Sequence, residues 1–236
     1  MLLGLGVKEN SPNKVVVALL DLSESTNKPE IREKYVAAFK SILEKITHGD
    51  AFVVALITEK SVAELNIPIK ENIPRFVPIS KNEFYRKGEE DLANKELNKR
   101  KEKLVKDAET ILLDQTRKIM KTDIMSSLQV AERIFSSFSQ PQKILVILSD
   151  MLEDSVDYNF EKENLSAQRR EAILARERNK SRIPQLGGVK VYVVGATAPN
   201  LDYFYNIQSF WLEYFKASGA LLLKKDYGSV LLVFNE

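Results

Sequence analysis

In the stretch Asp21-Leu22-Ser23-Glu24-Ser25-Thr26, one aspartate and two serines alternate just after an apolar run at residues 15–20. A carboxylate with two hydroxyls is an all-oxygen, hard donor set, suited to Mg2+, Mn2+ or Ca2+ and poorly matched to soft metals. Ser149-Asp150 ends a second apolar run, 144–148, and Thr122 places a further hydroxyl just ahead of an amphipathic stretch that leads into that run. If the two runs are neighbouring strands, three separate segments deliver only oxygen donors to one sheet edge. Each segment also has an ordinary explanation. Asp and Ser form turns, and both Asp150 and Thr122 suit helix N-caps. The conjunction favours a metal site built from Asp21, Ser23, Ser25, Thr122 and Asp150.

Other chemistries find less support. The chain has 236 residues and no cysteine, which excludes a disulfide framework, a thiolate metal site and a cysteine nucleophile. Its single histidine, His48, lies in Thr47-His48-Gly49-Asp50 and reads as a turn residue. Hydrolysis needs a positioned base or nucleophile, and the nearest extra acids, Glu153 and Asp154, read equally well as a solvated loop. With 35 Lys and Arg against 33 Asp and Glu, the formal charge of +2 lacks the positive field expected of a phosphate-tracking protein. Nucleic acid is therefore disfavoured as a partner. A local patch at Arg169, Arg170, Arg176 and Arg178 is the feature that would oppose this reading. The apolar opening at residues 1–6 gives way to Lys8 and Glu9, too short for a signal-peptide core, and no run reaches membrane-spanning length. A cytoplasmic protein with no membrane association is expected.

The elements that must position the donors are legible. Residues 15–20, 51–57, 144–148 and 189–194 are short apolar runs of the kind that form strands buried on both faces. Between them lie helical patterns: Ile31, Tyr35, Phe39, Ile42 and Ile46; Ile124, Leu128, Ala131, Phe135 and Phe138; and, after the last run, Phe204, Ile207, Trp211, Tyr214 and Phe215. This alternation predicts an α/β fold, a doubly wound and mostly parallel sheet with helices on both faces. Residues 220–223 and 230–234 flank an Asp226-Tyr227-Gly228 turn signal and predict a closing strand or hairpin. Two charged stretches, at about 80–118 and 154–185, read as helical insertions into a single domain spanning 1–236. The first is expected to be a long, mostly solvated helix with Leu92, Leu104, Ala108, Ile111 and Leu112 as its apolar stripe.

In these motifs the chain resembles the von Willebrand factor type A family. Its metal-ion-dependent adhesion site is an Asp-x-Ser-x-Ser loop, a distant Thr, and a distant Asp after an apolar strand. Asp21, Ser23, Ser25, Thr122 and Asp150 match in that order. The resemblance implies a Rossmann-like fold, one divalent ion (Mg2+, with Mn2+ or Ca2+ as alternatives) and no catalysis. It also implies a protein partner whose Asp or Glu completes the coordination, in some cases within a larger complex. By that resemblance Ser23, Ser25 and Thr122 approach the metal through hydroxyls, and Asp21 and Asp150 act directly or through water. Where the family often has glycine after the last aspartate, this chain has Met151, which is expected to alter the turn there. Mutual repulsion of two carboxylates further predicts that removing Asp21 leaves the metal-free chain no less stable. The competing readings are a Mg-dependent phosphatase or nuclease, which would gather three or more carboxylates, and an RNA-associated domain of related fold.

Overall fold

The computed structural model describes residues 13–59, 61, 65–114, 119, 121–231 and 234. The apolar opening at 1–6, residues 115–118 of the first charged stretch, and 232–233 of the last apolar run lie outside these. The element order is β1 (Lys14–Asp21), α1 (Pro29–Glu44), β2 (Ala51–Ile57), β3 (Ile69–Asn72), α2 (Glu83–Leu113), α3 (Ile124–Ser136), β4 (Gln142–Leu148), α4 (Ala167–Asn179), β5 (Lys190–Val194), α5 (Leu201–Ala217) and β6 (Leu221–Gly228).

Among the described residues six strands form one sheet in the order β3-β2-β1-β4-β5-β6. Every pairing is parallel except that of β2 with the short edge strand β3. This is the doubly wound α/β architecture that the apolar runs predict. All eight residues of β1 and all seven of β2 are buried, because helices cover both faces. Val16, Ala18 and Leu20 share one core with α1 and α2; Val15, Val17 and Leu19 share the other with α3, α4 and α5. Strand order reverses between β1 and β4, so the crevice at their carboxyl ends is the topological switch point where open α/β sheets take ligands.

Of the expected closing strand or hairpin, the closing strand is found: Asp226-Tyr227-Gly228 lie within β6, not at a turn, and β6 continues parallel to β5 through a register shift between Val191 and Val193. The buried Tyr227 ring packs edge-on against Phe204 of α5 at 5.5 Å, and that tertiary contact outweighs the local turn preference. The first charged stretch forms an unbroken helix of 31 residues that packs on α1 through Leu97, Leu104, Ala108 and Leu112. Leu92 is 65% exposed, and Leu97 takes the place expected for it.

Candidate functional site

The register of the central strands assembles the site. Leu20 pairs with Leu148, so Asp21 leaves β1 beside Ser149, and the Ser149 hydroxyl donates to Asp21 Oδ2 at 2.8 Å. Asp21 Oδ1 accepts the Ser23 N–H at 2.9 Å, which turns the chain sharply out of the strand. Thr26 braces that turn, its hydroxyl donating to the carbonyls of Asp21 and Ser23. The Ser23 and Ser25 hydroxyls then lie 3.2 Å apart, and Ser25 Oγ donates to Asp150 Oδ2 at 2.6 Å. Asp21, Ser23, Ser25 and Asp150 thus form one linked set, although Ser25 and Asp150 stand 125 residues apart in the chain. Asp21, Ser23 and Asp150 are buried, and Ser25 is exposed at the mouth.

Thr122 joins none of these hydrogen bonds and is held through its backbone beside Asp154. Its N–H and C=O pair with Asp154 in both directions, and nearby Ile119 bridges to Ser23. Thr122 does not cap α3. That role belongs to Asp123, whose side chain accepts from Ser126 N–H at 2.9 Å. Nor does Asp150 cap a helix, since its Oδ1 accepts the N–H of Leu152 within the loop. The capping explanations for both residues are thereby removed.

Met151 adopts φ +67°, a left-handed conformation that disfavours side-chain-bearing residues and suits glycine. The loop thus turns through a left-handed residue, with a methionine bearing the cost. Compensation comes from burial, for Met151 is fully enclosed, and from the Trp211 indole, which donates to the Met151 carbonyl at 3.0 Å. The Met151 N–H donates to Ser149 Oγ at 3.0 Å, so Ser149 links this turn to Asp21. Ser149 is a residue that sequence reasoning left without a role; its signal is a hydroxyl directly after a buried strand.

The electrostatics of the crevice are those of anions short of counter-charge. Burial raises the Asp21 carboxyl above its usual range, against the pull of hydrogen bonds from Ser23 and Ser149 and the charge of Arg32. Burial, reinforced by the charge of Asp21, pushes Asp150 up to about 6. Arg32 is the nearby cation, yet its Nη1 bonds the main-chain carbonyl of Asp21 and its Nε has no partner. The Tyr35 hydroxyl is also buried without a partner, and its own pKa is raised first by burial and then by the charges of Asp21 and Asp150. It lies under Gly195, at φ +102°, where an added Cβ would come within 2.7 Å of the phenol oxygen. A hard divalent cation fits this donor set: oxygen ligands, two desolvated carboxylates and an exposed hydroxyl at the mouth.

Glu153 corrects the picture of a solvated loop. It is buried, and its Oε2 accepts the N–H groups of Ile124 and Met125 at the start of α3. Oε1 makes no hydrogen bond; Ser155 lies near enough to favour the ionised form without reaching bonding geometry. Burial raises its pKa well above the usual value. His48 sits in the turn before β2, close to Pro74 and Asn94 and remote from the crevice. Three of the four arginines of the suspected basic patch are engaged by acids: Arg169 by Glu163, Arg170 by Glu213 and Arg176 by Asp157. Among the described residues no group of three or more His, Asp or Glu side chains is gathered to hold a metal, as the phosphatase or nuclease alternative requires.

No family model matches the chain, and no curated protein matches it. Similar solved structures include an aerotolerance-related membrane protein from Bacteroides fragilis carrying multiple mutations to serine, at TM-score 0.39 and 14% identity, covering 80% of this chain and 69% of that one. A von Willebrand factor type A protein from Catenulispora acidiphila is similar at TM-score 0.40 and 17% identity, covering 89% and 43%. The pilus adhesin SpaC from Lactobacillus rhamnosus GG, in an open conformation, is similar at 0.41 and 13%, covering 88% and 27%. The chain thus spans less than half the length of the latter two. Likeness at this level carries no weight for what the chain binds. Among the described residues no helix is long and apolar enough to cross a membrane.

Proposed function

We propose that the crevice holds one divalent cation, Mg2+ by preference, through Asp21, Ser23, Ser25, Thr122 and Asp150, and that the chain uses it to bind a protein partner without catalysing a reaction. The observation that carries this reading is the linked set at the switch point, where Ser25 meets Asp150 at 2.6 Å and two desolvated carboxylates lie side by side. Two carboxylates and neutral hydroxyls neutralise a divalent ion without filling its coordination, since Mg2+ takes six ligands. An Asp or Glu of a partner is the natural further ligand, and the exposed Ser25 marks where it would enter. Within the chain, Asp21 and Asp150 would supply charge, Ser149 and the Ser23 amide would hold Asp21 in position, and Arg32 would anchor the strand end. A cytoplasmic location and membership of a larger complex belong to the same proposal.

The test is metal-dependent capture. Immobilised chain should retain a protein from lysate in millimolar Mg2+ and release it in chelator, and free N-acetyl-glutamate amide should compete. Calorimetry should show one Mg2+ or Mn2+ site that Asp150→Asn weakens strongly. Absence of metal binding by calorimetry, with a melting temperature unmoved by Mg2+, Mn2+ or Ca2+, would refute the proposal.

A further inference from the structure

A second group of acids lies behind the bridge between Thr122 and Asp154. That antiparallel pairing sets Asp123 beside Glu153 and turns both to the face away from the Thr122 and Asp154 side chains. A cavity of about 160 Å3 opens there, lined by both carboxylates, by Asp157, Glu177 and Arg182, and by Met125. These charges are not equally engaged. Arg182 holds Glu177 through Nε at 2.8 Å and Asp157 through Nη1 at 2.6 Å, and Arg176 adds a further contact to Asp157. Glu177 and Asp157 are therefore neutralised. Among the described residues neither Asp123 nor Glu153 forms an ion pair. The start of α3 engages one oxygen of each: Asp123 Oδ1 accepts the Ser126 N–H, and Glu153 Oε2 accepts those of Ile124 and Met125. Glu153 Oε1 is left buried with no hydrogen bond, a desolvated acceptor without a donor.

We infer that this cavity binds a primary alkylammonium group, its nitrogen donating to Glu153 Oε1 beside Asp123 and its alkyl stem lying along Met125. One free carboxylate oxygen suits a compact ammonium; the guanidinium fork of an arginine calls for both oxygens, and the amides of α3 already occupy the other. The size agrees, since a cavity of ~150 Å3 holds a molecule of about six heavy atoms. Val156 lines the same cavity and is 92% exposed, so the mouth is open to solvent. A free amine and the tip of a lysine side chain both present this group.

The test uses the full chain in chelator, which makes its outcome independent of the proposed metal site. Butylammonium, putrescine and Nα-acetyl-lysine methylamide are titrated at constant ionic strength, with butanol and Nα-acetyl-arginine methylamide as controls. The amide resonances of Ile124 and Met125, which bond Glu153, should shift saturably with the amines, and that of Ser23 should stay in place. Millimolar affinity is the scale for a ligand of about five heavy atoms. Glu153→Gln keeps an acceptor for α3 and turns its amide donors to the cavity, so it should weaken amine binding about tenfold. Asp123→Asn, which retains a capping side chain, should weaken it by a smaller factor, and it carries the test if Glu153→Gln does not fold. Tighter binding of the lysine derivative than of putrescine assigns the site to a polypeptide lysine, and the reverse assigns it to a free amine. Equal shifts with butanol, arginine binding as tight as lysine, or undiminished amine binding in the folded variants would overturn the inference.

Discussion

Replacing Asp150 with asparagine separates a metal ligand from a structural residue, because the two roles predict opposite signs. Burial and the charge of Asp21 raise its carboxyl from 3.8 to about 6. An unfolded chain titrates near ~3.9. With the folded value the higher, the stabilisation from protonation is fully present below about pH 4 and is lost as pH rises through 6. Two units at 1.36 kcal/mol each make the metal-free fold about 3 kcal/mol less stable at pH 8 than at pH 4 through this group. The asparagine side chain would keep the geometry: its oxygen can still accept Leu152 N–H, and its amide can donate to Ser25 Oγ. In chelator at pH 8, Asp150→Asn should therefore be about 1–3 kcal/mol more stable than wild type, with the difference gone at pH 4. In Mg2+ at a hundred times the dissociation constant, wild type should gain about 2.7 kcal/mol and the variant little. The assay is a set of urea titrations followed by the fluorescence of Trp211, the single, fully buried tryptophan. A variant less stable than wild type in chelator at pH 8 would refute the account and make Asp150 structural.

Asp21→Ala should destabilise the metal-free chain, contrary to the expectation from charge repulsion alone, because the Ser23 N–H and the Ser149 hydroxyl lose a buried acceptor; about 1–3 kcal/mol per orphaned group is the scale, read in chelator by the same titration. Met151→Ala should cost about 2–5 kcal/mol through lost burial, whereas Met151→Gly, although it removes one more carbon, should melt no lower than the alanine variant because φ +67° suits glycine. Leu104→Ala should cost about 2–4 kcal/mol and Leu92→Ala almost nothing, since the first is buried against α1 and the second is exposed; equal losses in thermal melts would show that the Leu92 side chain packs within the fold.

What the sequence determined by itself was what local chemistry can encode. A strand buried on both faces must be apolar along its length, so β1, β2, β4 and β5 were visible as runs, and a helix lying on a sheet must repeat every three or four residues, so α1, α3 and α5 were visible as periods. The donor loop was legible because Asp21, Ser23 and Ser25 are close in the chain, and Asp150 because it ends a visible strand. Tertiary structure alone decided the rest. Whether Asp21 and Ser149 touch depends on the β1–β4 register, which no local pattern states. Glu153 looks like a surface acid until the start of α3 is brought onto it, and the Asp226-Tyr227-Gly228 turn signal yields to packing of Tyr227 on α5. Only the backbone shows that Met151 stands at a left-handed position, and only packing shows that Leu97 rather than Leu92 faces inward. In each case the deciding energy lies in contacts between residues distant in sequence, where propensity and spacing carry no information.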